Sequence, residues 1–389
     1  MDYNEAAMRM HLEHRGKIEV RGKVQVRNRD ELSTAYTPGV AEPCREIVRR
    51  PESVWELTAR GSFVAVVSDG SAVLGLGNIG PLAAMPVMEG KALLFREFGG
   101  LDAVPICLDV HEPEEIISAV RALAPSFGGI NLEDISAPKC FGIEEALERE
   151  LDIPVFHDDQ HGTAIVVSAA LTNALKVVNR ALPDCRIVLN GPGAAGTAIT
   201  KMLLTLGARD ITVCDRSGAI YRGREGLSGH KRLLAETTNP ENRSGTLAEV
   251  MRGADVFIGV SSGGLVTKEM VRSMAEGPVV FAMANPTPEI AYEEALEAGA
   301  LVAGTGRSDC PNQINNVLAF PGVFRGALSV RARDINSEMK AAAVEALAGL
   351  VGDSLSPEHI IPDPFDERAP RAIAEAVARA AVESGVARL

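Results

Sequence analysis

The stretch Gly191-Pro192-Gly193-Ala194-Ala195-Gly196 leaves this chain few folds to choose from. It follows an apolar run, Arg186–Asn190, that reads as a strand, and it opens a helical pattern over residues 194–206. A second strand pattern, residues 211–215, comes next. Strand, glycine turn, helix and strand form a βαβ unit, and such units build parallel sheets. The glycines let the backbone approach a pyrophosphate, and the helix start offers N–H donors and the positive end of its dipole. Asn190, Gly191, Gly193, Ala194, Ala195 and Gly196 are therefore candidate dinucleotide contacts. Asp215, 19 residues past Gly196, ends the second strand, where a carboxylate accepts bonds from the adenosine ribose. Runs at 255–260, 279–284 and 301–303 continue the sheet, so residues 161–308 read as a Rossmann-like domain.

The first 160 residues alternate in the same way. Strand-like runs at 63–67, 103–108, 129–132 and 155–156 are separated by helical patterns at 82–98, 114–124 and 143–150, which makes an α/β unit of residues 1–160. Residues 72–76 look like the return strand of a hairpin from 63–67. Gly75-Leu76-Gly77-Asn78-Ile79-Gly80 repeats the glycine spacing, but it comes after this hairpin, and the next strand-end acid, Asp109, is 29 residues past Gly80. It therefore reads as a tight turn aiming the next helix. Three helical patterns, 314–330, 335–351 and 369–386, make up residues 309–389 and are expected to return to the first domain. Residues 1–30 are charged and weakly periodic, as expected of a helix and an arm lying against a neighbouring subunit.

Composition removes several functions. The 389 residues carry a formal net charge of −13 and no basic cluster, which argues against nucleic acid as a partner. No apolar run is long enough to span a membrane and no signal peptide is seen. The six cysteines are widely spaced, without C-x-x-C, and read as reduced thiols in a cytoplasmic protein.

The chemistry concentrates in His157-Asp158-Asp159-Gln160-His161-Gly162-Thr163, between a strand pattern and a helix expected to start at Gly162. Two adjacent carboxylates at a strand's carboxyl end face the ligand crevice of an α/β fold. They repel one another unless a cation neutralises them, and an all-oxygen cluster suits Mg²⁺ or Mn²⁺. A polar turn with Asp159 capping the helix is the bland alternative. Lys91, beside Gly90 in an apolar helix, could by itself be a snorkelling surface lysine.

Together the motifs resemble a malic enzyme of the short bacterial type. The resemblance rests on Tyr36-Thr37-Pro38-Gly39-Val40, Leu74-Gly75-Leu76-Gly77-Asn78-Ile79-Gly80, Met88-Glu89-Gly90-Lys91-Ala92, Asn131-Leu132-Glu133-Asp134, the His157–Thr163 stretch, Asn190–Gly196, Ala284-Asn285-Pro286-Thr287 and 312–322, all in the family's order. It implies oxidative decarboxylation of L-malate to pyruvate and CO₂ with NAD(P) and Mg²⁺ or Mn²⁺. It further implies Tyr36 as general acid, Lys91 as general base supported by Asp158, and Glu133, Asp134 and Asp159 as metal ligands. Asn285, Asn315, Asn316 and Lys91 would hold substrate, and Thr163 and Asn285 would border the cofactor. A homodimer is the expected assembly. Lys91 can act as a base only if its pKa is lowered or its proton is passed on. Larger relatives carry an Arg where this chain has Ala72, and an acyltransferase-like extension carried by some relatives is not expected here.

Three other readings remain at this point: a malolactic enzyme, a metal-independent amino-acid dehydrogenase, and a non-catalytic nucleotide sensor. For coenzyme, Asp215 favours NAD, while Arg216, Arg222 and Arg224 nearby leave NADP open.

Overall fold

The computed structural model describes residues 2–73 and 75–389. Three short helices begin the chain: α1 (Tyr3–His14), α2 (Arg29–Ala35) and α3 (Ala41–Arg49), then α4 (Val54–Leu57). None of the four contains a buried residue. The arm after α1 lies on its own chain, where Lys17 N–H donates to Glu89 (3.0 Å) and Lys17 Nζ to the Pro86 carbonyl (2.7 Å).

The first sheet comprises β1 (Phe63–Ser68), β2 (Asp102–Cys107), β3 (Gly129–Leu132) and β4 (Val155–His157), in the order β2-β1-β3-β4, all parallel. Helices α5 (Gly80–Gly99), α6 (Pro113–Leu123) and α7 (Lys139–Glu150) make the crossovers. Val64 to Val67 are fully buried, as a strand covered on both faces requires. The expected hairpin does not form. β1 is flanked by β2 and β3, so it has no open edge for an antiparallel return. The residues on either side of Leu74, which lies outside the described residues, instead turn, with Val73 bridging Gly77 and Gly75 and Gly77 both at φ 75°.

From β4 the chain passes directly into α8 (Asp158–Val177), which starts four residues before the expected Gly162. α8 is apolar nearly all round and buried, as suits a helix enclosed by other elements. The second sheet is built from β5 (Arg186–Asn190), α9 (Ala194–Thr205), β6 (Asp210–Asp215), a short β7 (Gly218–Ala219), α10 (Gly229–Thr237), α11 (Leu247–Met251), β8 (Val256–Gly259), α12 (Lys268–Arg272), β9 (Val279–Ala282), α13 (Tyr292–Glu297) and β10 (Val302–Thr305). Its order is β10-β9-β8-β5-β6-β7, parallel except for β7. The last helices are α14 (Phe320–Ser329), α15 (Ser337–Gly349) and α16 (Arg368–Glu383). Phe320 and Phe324 of α14 pack on Phe95 at 4.7 and 5.2 Å between ring centroids, and Phe324 packs on Phe156 at 5.6 Å. Asn173 of α8 donates to the carbonyls of Ala348 and Ile360, tying the middle of the chain to its end.

Candidate active site

Both sheets reverse strand order next to their first strand: between β1 and β3, and between β5 and β8. Such a reversal opens a crevice at the carboxyl ends of the strands. Register decides which side chains stand there. Leu132 pairs with His157, so Glu133-Asp134 leave β3 beside Asp158-Asp159 leaving β4. Across the crevice, Asn190 pairs with Gly259, which brings the glycine turn beside Ser261.

The carboxylates of Glu133, Asp134 and Asp159 lie within 4.8 Å of one another. Asp134 takes a left-handed backbone (φ 54°), and its N–H donates to Asp159 Oδ2 at 2.7 Å. Asn131 Nδ2 donates to Glu133 at 2.9 Å. Lys91 is buried on α5 with Nζ 2.6 Å from Asp158 Oδ2, 2.9 Å from Glu133 Oε1 and 4.3 Å from the centre of the Phe320 ring. Asn316 also donates to Asp158 Oδ2, at 2.6 Å. Gly162 is required here: a Cβ on it would overlap the Asp158 carboxylate, which folds back along the first turn of α8.

Burial pushes Asp158 up to about 7 and Asp159 to about 6, against the pull of Lys91, and it raises Glu133 as well. One ammonium thus faces four carboxylates, three of them crowded and all offering oxygen. That donor set fits a hard divalent cation such as Mg²⁺ or Mn²⁺. Of the two ways in which Lys91 could act as a base, a lowered pKa or a proton passed on, the cluster around it does not favour the first. Burial disfavours the ammonium, but Asp158 and Glu133 outweigh it and hold Lys91 above the usual lysine range.

The crevice has a volume of about 800 Å³, and Asp134, Asp159, Thr163, Asn285, Asn315 and Asn316 border it together with Gly193, Ala194 and Ala195. The Asn315 side chain caps the short turn after it, accepting from Val317 N–H at 3.0 Å. Within the glycine turn, a Cβ on Gly196 would overlap the Gly191 carbonyl, whereas one on Gly193 would meet nothing within 4 Å. Gly196 therefore accommodates helix packing, and Gly193 leaves the open cradle a pyrophosphate needs. Tyr36 stands apart. It ends α2, is 67% exposed, and does not border the crevice. Asp215 is not free either, as it accepts from Arg224 and Lys231, each at 2.7 Å.

Two buried acids escape a reading of the sequence. Glu144 accepts from His157 N–H (2.8 Å), Gln160 Nε2 (2.9 Å) and His161, and so clamps the turn that presents Asp158 and Asp159. With Glu148 and His161 it forms a second trio of possible metal ligands, but its oxygens are already satisfied by these donors. Glu289 accepts from the backbone N–H groups of Ser261 (2.9 Å) and Ala284 (3.0 Å), fixing the loops on either side of the nucleotide crevice. Nothing in the local sequence separates these two from surface acids.

A family model for the malic enzyme N-terminal domain matches residues 15–148, and one for the malic enzyme NAD-binding domain matches residues 160–382. This chain belongs to the malic enzyme family. It is 58% identical over 391 residues to the bifunctional malic/malolactic enzyme of Bacillus subtilis (strain 168), covering 100% of this chain and 95% of that protein. It is 49% identical to the NADP-dependent malic enzyme of Halomonas elongata, covering 96% and 92%. The crystal structure of the NAD-dependent malic enzyme of Thermotoga maritima superposes with a TM-score of 0.93 at 50% identity, covering 96% of this chain and 98% of that one. The malic enzyme family and NAD(P)-dependent oxidoreduction are thereby established for the chain.

Proposed function

We propose that this chain converts L-malate to pyruvate and CO₂ with reduction of NAD(P), in a site that requires Mg²⁺ or Mn²⁺. The observation that carries the reading is the β3–β4 register, which sets Glu133 and Asp134 beside Asp158 and Asp159 over Lys91, facing the glycine turn. Glu133, Asp134 and Asp159 would hold the ion, which when bound supplies Lewis acidity at the C2 oxygen of malate. Asn285 and Asn316 orient the substrate at the crevice wall. Lys91, once its ammonium proton has passed to the Asp158 carboxylate 2.6 Å away, takes the C2 hydroxyl proton as hydride leaves C2 for the nicotinamide. Because Glu133 would then be drawn to a dication, Lys91 would lose part of the attraction that holds its ammonium. The carboxylate β to the new ketone leaves as CO₂, and the resulting enol needs a proton at C3.

Tyr36 is the donor for that proton in this reading, supplied by a second copy of the chain. Exposure of Tyr36 and of large apolar side chains such as Val20 (99%), Val48 (83%) and Leu82 (91%) supports a homodimer in this reading. A second reading, release of lactate, draws on the relative whose name includes malolactic activity. A cytoplasmic location belongs to the same proposal; no helix among the described residues is long and apolar enough to cross a membrane. Asp159→Ala tests the metal assignment. Activity should be lost while NAD(P) binding persists, and full activity of the variant in EDTA-treated buffer would overturn it.

A further inference from the structure

We propose that the cavity where α7, α8, α9 and α15 meet is an effector site for a free amino acid, whose ammonium faces Glu148 and whose carboxylate faces Lys340. The cavity has a volume of about 320 Å³, at the small end of ligand cavities. It shares no lining residue with the crevice that holds Asp134 and Asp159. The site therefore does not depend on assigning those acids to a metal.

Four charged side chains border this cavity without partners of their own. Glu145 and Glu148 come from α7, Lys201 from α9 and Lys340 from α15. None of the four makes a side-chain hydrogen bond or ion pair among the described residues. Glu148 and Lys340 are half-buried, so water satisfies neither in full. Lys340 attracts Glu148 from beyond ion-pair distance. Burial, then repulsion from Glu144, outweigh that pull and push Glu148 up to about 7. The cavity thus holds acids and lysines apart. A plain anion there would be repelled by the glutamates, and a plain cation by the lysines. A molecule that carries both charges meets each group with its opposite. Phe141, Ala198 and Met202 add apolar wall for the rest of such a molecule.

The floor of the cavity leads to the active site. Gln160 and His161 border it, and both are hydrogen-bonded to Glu144, which also accepts from His157 N–H. A ligand on this floor rests against the groups that hold the first turn of α8, and that turn presents Asp158 and Asp159. Occupancy is thereby coupled to the turnover of malate.

Thermal melts of the full chain at about pH 8, where Glu148 is ionised and an amino acid keeps its ammonium, test the site without turnover. Each proteinogenic L-amino acid, and the ω-amino acids β-alanine and γ-aminobutyrate, would be added at about 2 mM. At least one should raise the melting temperature by about 2 °C or more. The amine and the carboxylic acid that each keep only one of its two charges should give less than about half that shift. Glu148→Gln and Lys340→Met should each abolish the shift, measured against the variant's own melting point. Both variants should keep malate turnover without added amino acid within about twofold of the unaltered chain, since neither group borders the crevice. For the unaltered chain, the amino acid that binds should change malate turnover at least about twofold. No shift with any of these compounds, or a shift that survives in both variants, would overturn the site. A shift without any change in turnover would overturn the effector role.

Discussion

Lys91 lies 2.6 Å from Asp158 and 2.9 Å from Glu133, so its ammonium is balanced by two carboxylates inside a buried cluster. A lysine in that position is a base only when part of this attraction is drawn elsewhere, and for that reason the lysine and the acidic cluster belong to one device. Replacing Lys91 by Ala should lower malate oxidation by about 10²-fold or more, the usual worth of a positioned proton acceptor. Tyr36→Phe should act on a different step. It should slow net turnover of malate while reduction of added oxaloacetate, which needs no proton at C3, is less affected. Measuring both half-reactions in the two variants checks the division of labour; equal loss in both for Tyr36→Phe would show that Tyr36 is not a dedicated acid. Asp215 illustrates the limit of a motif at this scale. Its position is legible from the spacing to Gly196, but its partners Arg224 and Lys231 are side-chain encounters that no local pattern encodes.

At the scale of elements, the first turn of α8 carries most of the site. The acids at its start suit the positive end of a helix dipole, which is why Asp158-Asp159-Gln160-His161 is helical and not the polar turn its composition suggests. Strand and helix order is otherwise readable, because buried parallel strands are continuous apolar runs and a glycine turn marks where a strand gives way to a helix. The hairpin expected at 72–76 fails because alternation of short apolar runs does not reveal which strand edges are already occupied. Glu144 holds the α8 turn from α7, and its neighbour on the same helix face is Glu148. Burial first, then repulsion from Glu144, push Glu148 up to about 7, with Lys340 pulling the other way and Asp334 and Glu145 adding to the rise. A raised carboxyl pKa means the folded chain binds more protons than the unfolded chain between about pH 4.5 and pH 7, so this group's contribution to stability falls as pH rises through that window. Glu148→Gln should therefore raise the melting temperature at pH 8, by an amount on the order of 1–3 kcal/mol in stability, with little effect at pH 4.5. Thermal melts of both proteins across that range check the sign, and a variant destabilised at pH 8 would contradict it.

For the whole molecule, two parallel sheets place their strand-order reversals on one crevice, the acids on one wall and the glycine turn on the other. Tyr36 does not border that crevice, and it follows α2, which has no buried residue. If one copy lends its Tyr36 to the other's site, two-fold symmetry makes the exchange mutual. Mixing the impaired Tyr36→Phe and Lys91→Ala proteins under conditions that exchange subunits should then raise activity to about a quarter of full activity above the residual of the two variants, since half of the dimers are mixed and each holds one intact site. No recovery after proven exchange would place both residues in one subunit's site.

The most direct test of the central claim is to follow L-malate by NMR in the presence of NAD or NADP, with Mn²⁺ and again with EDTA. The account predicts pyruvate and NAD(P)H in equal amounts with the metal present, and neither product with EDTA. Lactate without net NAD(P)H, or turnover that EDTA does not touch, would contradict it.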